Sequence, residues 1–97
     1  MWTDVELADD EVLVRWVLER ATRAEDIYVR RDAGPVTPAT LLEAELGIDS
    51  IGRISLYYEI VDALTAAVDD AEERLVVRWR SLADVVGFVR RTVETTR

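Results

Sequence analysis

The residues with the clearest chemical potential lie in one short run, residues 46–51, which reads LGIDSI. Here Ser50 follows a glycine turn and opens an amphipathic segment. Asp and Ser are favoured N-cap residues, so Asp49 and Ser50 fit a purely structural role as well as a chemical one. The chain has two other serines, Ser55 and Ser81, but only Ser50 lies in this run. We therefore take the hydroxyl of Ser50 as the candidate functional group.

The chain lacks most of the side-chain types that enzymes use in catalysis. The chain contains no Cys, His, Lys, Asn or Gln. Without His or Lys there is no ordinary general base near neutral pH, and without Cys there is no thiol nucleophile. Serine-triad chemistry and zinc sites also depend on imidazole or thiolate groups. We therefore predict a protein that is not an enzyme, with neither catalytic residues nor a metal site.

The charge balance narrows the range of partners. Twenty acidic residues outnumber twelve arginines and leave a net charge of −8, which repels nucleic-acid phosphates and anionic lipids. No apolar run is long enough to span a bilayer, and the acidic N-terminal segment is unlike a signal peptide. We expect a cytoplasmic monomer without nucleic-acid or membrane partners, which binds proteins that present basic patches.

Helical periodicity predicts the elements that position Ser50. Long helices are expected at about residues 10–24, 51–68 and 82–95, the last preceded by the capping box Ser81-x-x-Asp84. Residues 30–37 are expected to form a long loop, because Gly and Pro in this stretch break any helix. Leucines at 41, 42 and 46 predict one or two helical turns that end at Gly47, and the acidic residues 69–73 lead into a short third helix or a packed turn.

These elements predict an all-α fold, a small antiparallel four-helix bundle of three main helices and one short one, in a single domain over residues 1–97. The second helix carries more apolar residues than one face can bury, so Tyr57 or Ile51 should stay partly exposed for partner contact. We expect six residues to contribute to one core, some of them lining a cleft for an acyl chain: Trp16, Ile54, Leu56, Tyr58, Ile60 and Val86.

The stretch 37–61 resembles the phosphopantetheine-dependent carrier proteins of fatty-acid, polyketide and nonribosomal-peptide assembly. The matching residues are the pattern TPxTxL at 37–42, the run LGIDSI at 46–51, and the apolar residues Ile54, Leu56 and Ile60 that follow. The motif is most similar to that of carriers in iterative polyketide and polyunsaturated-fatty-acid synthases. Helix order extends the resemblance over nearly the whole chain.

The resemblance implies an acyl carrier protein. Ser50 would hold 4'-phosphopantetheine, derived from coenzyme A, and acyl intermediates would be carried on this arm as thioesters. A phosphodiester on Ser50 would lie at a helix N-terminus, where backbone N–H groups and the helix dipole favour an anion. Asp49 would serve transferase recognition or loop structure. The implied partners are a phosphopantetheinyl transferase, which uses magnesium, and acyl-loading and ketosynthase-type enzymes.

The chain departs from the family pattern near the motif. Ser55 replaces an acidic residue that commonly docks basic partners, and Gly52 either clears space beside the arm or has no role. Two alternatives remain. One is a peptidyl or aminoacyl carrier, and the other is a helical adaptor without a prosthetic group, in which Ser50 is only a cap. The expected partner-docking residues on the second helix are Ile51, Arg53, Tyr57, Glu59 and Asp62.

Overall fold

The computed structural model describes residues 9–30 and 34–96. Within these ranges there is no strand, and a single isolated bridge joins Leu41 to Ser81. The described chain is therefore all-helical, as predicted. Its elements are the helices α1 (Asp10–Arg23), α2 (Ser50–Ala63), α3 (Asp70–Leu75) and α4 (Leu82–Thr96), with a 3₁₀ turn (Val76–Arg78) that directly follows α3.

Aspartates define where the long helices begin. The Oδ1 atom of Asp9 accepts the N–H of Val12 at 3.0 Å, which caps α1. Before α4, the Oδ2 atom of Asp84 accepts the N–H groups of Arg80 and Ser81 at 2.8 and 3.2 Å. This return bond from the acidic residue is one half of the predicted capping box.

Two elements end differently from the prediction. Helix α2 stops at Ala63 rather than at 68, because Thr65 adopts a positive φ of 50° and the chain reverses there. The N–H of Ala66 then donates to the carbonyl of Val61 at 3.0 Å. Residues 41–46 form hydrogen-bonded turns rather than a regular helix, and Gly47 ends them at a φ of 74°. The short third helix is present and continues as the 3₁₀ turn.

The core lies where α1 packs against α2 and α4, and where α2 packs on the 3₁₀ turn. Of the six expected core residues, Leu56, Ile60 and Val86 are buried and Trp16 packs at the edge. The prediction was wrong for Ile54 and Tyr58, which are 39% and 44% exposed.

The register of α2 explains both core errors. Its inward face consists of Gly52, Leu56, Tyr57, Ile60 and Val61, so Tyr57 occupies the core position that we expected for its neighbour. Across the described residues, none of the helices has both the length and the apolar character that crossing a membrane requires.

Candidate functional site

The loop before α2 is held in place by the backbone at Gly47. Its positive φ turns the chain, and the N–H of Ile48 then donates to the carbonyl of Leu42 at 2.8 Å. The side chain of Ile48 is buried in the core. This anchor leaves the next two residues, Asp49 and Ser50, exposed at the start of the helix.

Asp49, and not Ser50, caps α2. Its backbone is extended, its Oδ1 atom accepts the N–H of Gly52 at 2.8 Å, and its carbonyl accepts the N–H of Arg53 at 2.8 Å. Ser50 is the first helical residue, and its hydroxyl forms no hydrogen bond with any described residue. The geometry shows a structural role for Asp49 as the helix cap, and its expected role in transferase recognition stays a prediction.

We therefore expect a loss of stability from substitution at Asp49 and almost none from substitution at Ser50. Asp49→Ala removes a helix cap and should lower the free energy of unfolding by about 1 kcal/mol. Ser50→Ala removes a hydroxyl without a described partner and should leave stability within about 0.5 kcal/mol of the wild type. Urea unfolding followed by circular dichroism measures both values. A larger loss for Ser50→Ala than for Asp49→Ala would contradict this assignment of the cap.

Gly52 allows the loop to approach the first turn of α2 closely. A Cβ atom built on Gly52 would lie 3.0 Å from Cγ2 of Ile48 and 3.4 Å from Oδ1 of Asp49. The contact with Ile48 is shorter than real Cβ contacts usually are, whereas the distance to Asp49 is close to ordinary van der Waals contact. A larger residue would therefore push on the core anchor Ile48. Gly52 thus has a packing role, which neither sequence interpretation of this residue included.

Helix α4 provides a matched control in Gly87, whose Cβ would meet only the flexible end of Arg91, at 3.3 Å. Replacing an interior helical glycine with alanine ordinarily stabilises by about 0.5–1 kcal/mol. We expect this gain for Gly87→Ala. For Gly52→Ala we expect a net loss of about 1 kcal/mol, because overpacking outweighs the gain in propensity. Equal stabilisation by both substitutions in urea unfolding would show that the loop yields without cost.

The structure divides the five expected docking residues into two groups. Ile51 is 71% exposed, Asp62 is exposed and Glu59 is partly exposed, so these three lie on accessible surface. Arg53 and Tyr57 do not. The side chain of Arg53 is only 12% exposed, and that of Tyr57 is fully buried.

Arg53 fastens the loop to the helix. Its Nη1 atom donates to the carbonyl of Ile48 at 3.3 Å and lies 3.9 Å from the Oε1 atom of Glu43. The guanidinium therefore bridges α2 and the turns at 41–46, beneath the candidate serine. The expectation that Arg53 is a freely accessible docking charge is corrected to a structural role.

Tyr57 connects α2 to the segment that precedes α3. Its hydroxyl donates to the carbonyl of Asp69 at 3.3 Å and accepts the N–H of the same residue at 3.1 Å. The ring packs on Phe88 of α4, with the ring centroids 5.2 Å apart. Burial raises the pKa of the Tyr57 hydroxyl above its ordinary value. The prediction that Tyr57 docks partners was wrong, while the expected exposure of Ile51 is observed.

Ser55 forms a hydrogen bond to a carboxylate that is distant in the sequence. Its Oγ atom donates to the Oδ2 atom of Asp26 at 2.7 Å, which places a carboxylate from the segment after α1 beside α2. Asp26 was not among the predicted site residues, because it lies 29 positions from Ser55 and no local pattern connects the two.

A second missed feature is an exposed apolar stripe along α2. Ile51, Ile54 and Tyr58 are 71%, 39% and 44% exposed and follow one another at helical spacing, directly after Ser50. The sequence shows this spacing, but a stripe that faces solvent has the same period as one that faces a core. We define these three residues as the α2 stripe.

A cavity of about 350 Å³ lies between α2 and α4, beneath the segment 66–69. Tyr57, Val61 and Phe88 form its apolar wall. At its rim, Arg91 binds both carboxylate oxygens of Glu72, at 3.1 and 3.2 Å. The cavity is large enough for a short acyl chain, but none of the six residues that we expected to form a core and cleft lines it.

In the part of the chain that the structure describes, no three His, Cys, Asp or Glu side chains are grouped so that they could hold a metal ion. The chain has no significant match among protein-family models, curated proteins or solved structures. Its function must therefore be inferred from its own residues and their geometry.

Proposed function

We propose that this protein is an acyl carrier that bears 4'-phosphopantetheine on Ser50. One observation carries the proposal. At the start of α2, Asp49 caps the helix, while Ser50 is exposed and its hydroxyl forms no hydrogen bond with a described residue. A serine that capped the helix itself would lose its structural role on modification. Here the hydroxyl can be modified while the helix keeps its cap.

The local structure fits the attachment reaction. The Ser50 oxygen would attack the pantetheine-side phosphorus of coenzyme A, the pyrophosphate P–O bond would break, adenosine 3',5'-bisphosphate would leave, and a base of the transferase would take the serine proton. The N–H of Gly52 is bonded to Asp49, but the N–H groups of Ser50 and Ile51 have no carbonyl partner within the helix and favour the phosphodiester charge. Once attached, the arm supplies the thiol that the chain itself lacks, so that acyl groups can be carried as thioesters.

The proposal includes the finer architecture expected of such a carrier, a single antiparallel four-helix bundle that acts as a cytoplasmic monomer. Its partners are the phosphopantetheinyl transferase and acyl-loading and ketosynthase-type enzymes. The docking surface is revised to the α2 stripe together with the carboxylates of Asp26, Glu59 and Asp62. Such a surface offers apolar contact beside the arm and negative charge for basic partners.

The test is incubation of the purified chain with a broad-specificity phosphopantetheinyl transferase, coenzyme A and magnesium, followed by intact-mass measurement. We expect the wild type to gain one arm and Ser50→Ala to gain none. Ser55→Ala and Ser81→Ala are matched controls and should still gain one arm. An unchanged wild-type mass, or an arm on Ser50→Ala, would refute the proposal, and circular dichroism of each variant shows that it is folded.

The α2 stripe favours a second candidate function, a helical adaptor that binds a partner through an apolar surface and carries no arm. Exposed apolar patches on small soluble domains often mark protein interfaces. The same mass measurement distinguishes the two candidate functions. A folded wild-type chain that gains no arm would favour the adaptor.

A further inference from the structure

A groove runs beside the first turn of α2, between the turns at 41–46 and the 3₁₀ turn. Its volume is about 700 Å³, within the range of roughly 300–1,000 Å³ that is typical of small-molecule pockets. Arg53 lines the groove and lies three residues after Ser50, just under one helical turn and about 4.5 Å along the axis. The groove is therefore within reach of a group tethered to Ser50.

The rim of this groove is positive, although the chain as a whole carries a net charge of −8. Arg78 and Arg80 line it, both are exposed, and neither forms an ion pair with a described residue. Arg53 is partly compensated by Glu43, 3.9 Å away. Among the lining residues three arginines outnumber one glutamate, while the carboxylates of Glu45 and Asp84 lie just outside, bonded to the backbone N–H groups of Leu41 and Arg80. The fork geometry of the guanidinium groups suits a carboxylate.

The walls of the groove are apolar. Leu41 and Val77 both line it and are 42% and 55% exposed, and the largely buried residue Trp79 forms part of the wall. Methylene groups placed between these residues would bury apolar surface that is now in contact with water. The groove thus combines an apolar channel with a cationic rim, which is complementary to a short carbon chain that ends in a negative charge.

We propose that this groove holds the cargo on the arm, and that the preferred cargo is an acyl group with a terminal carboxylate. The inference rests on the proposed function, because the tether to Ser50 brings the cargo to the groove. A tethered ligand has an effective concentration of the order of millimolar, so weak contacts suffice to hold it. Arg78 and Arg80 would bind the carboxylate, while Leu41 and Val77 contact the methylenes.

Charge argues for a small tethered anion rather than an acidic protein. An acidic protein that covered this groove would also approach the acidic remainder of the chain and be repelled by it. A cargo that fits inside the groove meets only the local positive rim. The same reasoning disfavours an untethered anionic surface such as a membrane.

The test compares two cargoes of equal length on the arm-bearing protein, glutaryl and pentanoyl. Each is loaded on the arm, and the rate of thioester cleavage by hydroxylamine is divided by the rate for the same acyl group on coenzyme A. Docking holds the thioester against the protein and slows cleavage. We expect about fivefold slower relative cleavage for the glutaryl cargo, a size consistent with two exposed charge contacts.

Three double variants test whether the groove causes the slower cleavage of the glutaryl thioester. Arg78→Gln with Arg80→Gln should abolish the glutaryl effect, and Arg78→Lys with Arg80→Lys should retain part of it. Arg15→Gln with Arg23→Gln changes the net charge equally, at exposed residues of α1 that do not line the groove, and should have no effect. The indole N–H resonance of Trp79 should shift with the glutaryl cargo only.

The outcomes separate the two proposals. If Ser50 takes no arm, the proposed function is refuted and the tethered cargo with it. If the arm is attached but both cargoes are cleaved at equal relative rates, only the groove proposal is refuted. If glutaryl is still cleaved slowly in the double glutamine variant, the groove proposal is also refuted. Arg78 and Arg80 would then not be the cause of the slow cleavage.

Discussion

Replacing Tyr57 with alanine is expected to lower the free energy of unfolding by about 3–5 kcal/mol, the usual cost of truncating a buried aromatic residue. The ring is fully buried and lies 5.1 and 5.2 Å, between centroids, from the rings of Tyr58 and Phe88. Its loss would leave a cavity where α2 meets α4. Urea unfolding of the two proteins measures the difference.

Tyr57→Phe isolates the contribution of the hydroxyl. It would leave the N–H of Asp69 without its described acceptor at a part-buried site, which should cost about 1 kcal/mol. Tyr58→Phe is the matched control, because its hydroxyl donates to Glu73 at an exposed site and should change stability much less. If Tyr57→Ala kept wild-type stability and impaired only loading by partner enzymes, Tyr57 would be a docking residue after all.

The alkaline stability of the protein depends on the same hydroxyl. Burial raises the pKa of Tyr57 above 10.0, so the unfolded chain releases this proton at a lower pH than the folded one. The stability from the neutral hydroxyl is thus complete below pH 10 and is lost as the pH rises through the folded-state pKa. Tyr57→Phe should lose less stability above pH 10, although Tyr58, whose pKa is raised by its bond to Glu73, leaves some dependence.

Arg53→Glu is expected to lower the free energy of unfolding by about 2–3 kcal/mol, rather than to improve recognition by partners. The substitution removes the donor to the carbonyl of Ile48 and places a carboxylate in a largely buried position near Glu43. The ion pair itself contributes little, because Glu43 is mostly exposed. Thermal and urea unfolding both measure the loss.

Arg53→Met is the matched control, since it keeps an apolar stem of similar length and introduces no charge. It should lose less stability than Arg53→Glu, and the difference between the two variants reports the cost of the buried negative charge. Wild-type stability of Arg53→Glu together with faster loading by synthase enzymes would restore the interpretation of Arg53 as a docking charge.

The sequence predicted the helix starts well because their signals are local. Asp9 and Asp49 each bind an N–H three residues ahead, and such short-range caps are visible as residue types at fixed spacing. The end of α2 had no such signal. Thr65 takes a positive φ that usually requires glycine, and nothing in its neighbourhood indicates a helix end there.

The candidate site was predictable in part for the same reason. Ser50 and Asp49 stand out within a six-residue motif, whereas the orientation of Tyr57 depends on Phe88 in a helix 31 positions further along the chain. Since Tyr57 and Tyr58 are adjacent and of the same type, periodicity alone did not decide which one faces the core. The bond between Ser55 and Asp26 is also long-range and became visible only in the structure.

Helix α3 is attached to the rest of the protein in an unusual way. None of its six residues is buried, and it is held by polar contacts, with Tyr58 donating to Glu73 and Arg91 binding Glu72. Because so little apolar surface is lost when such a helix detaches, its amide hydrogens exchange with solvent through a local opening. The free energy of that opening lies below that of global unfolding, and raised salt lowers it further by screening the ion pair.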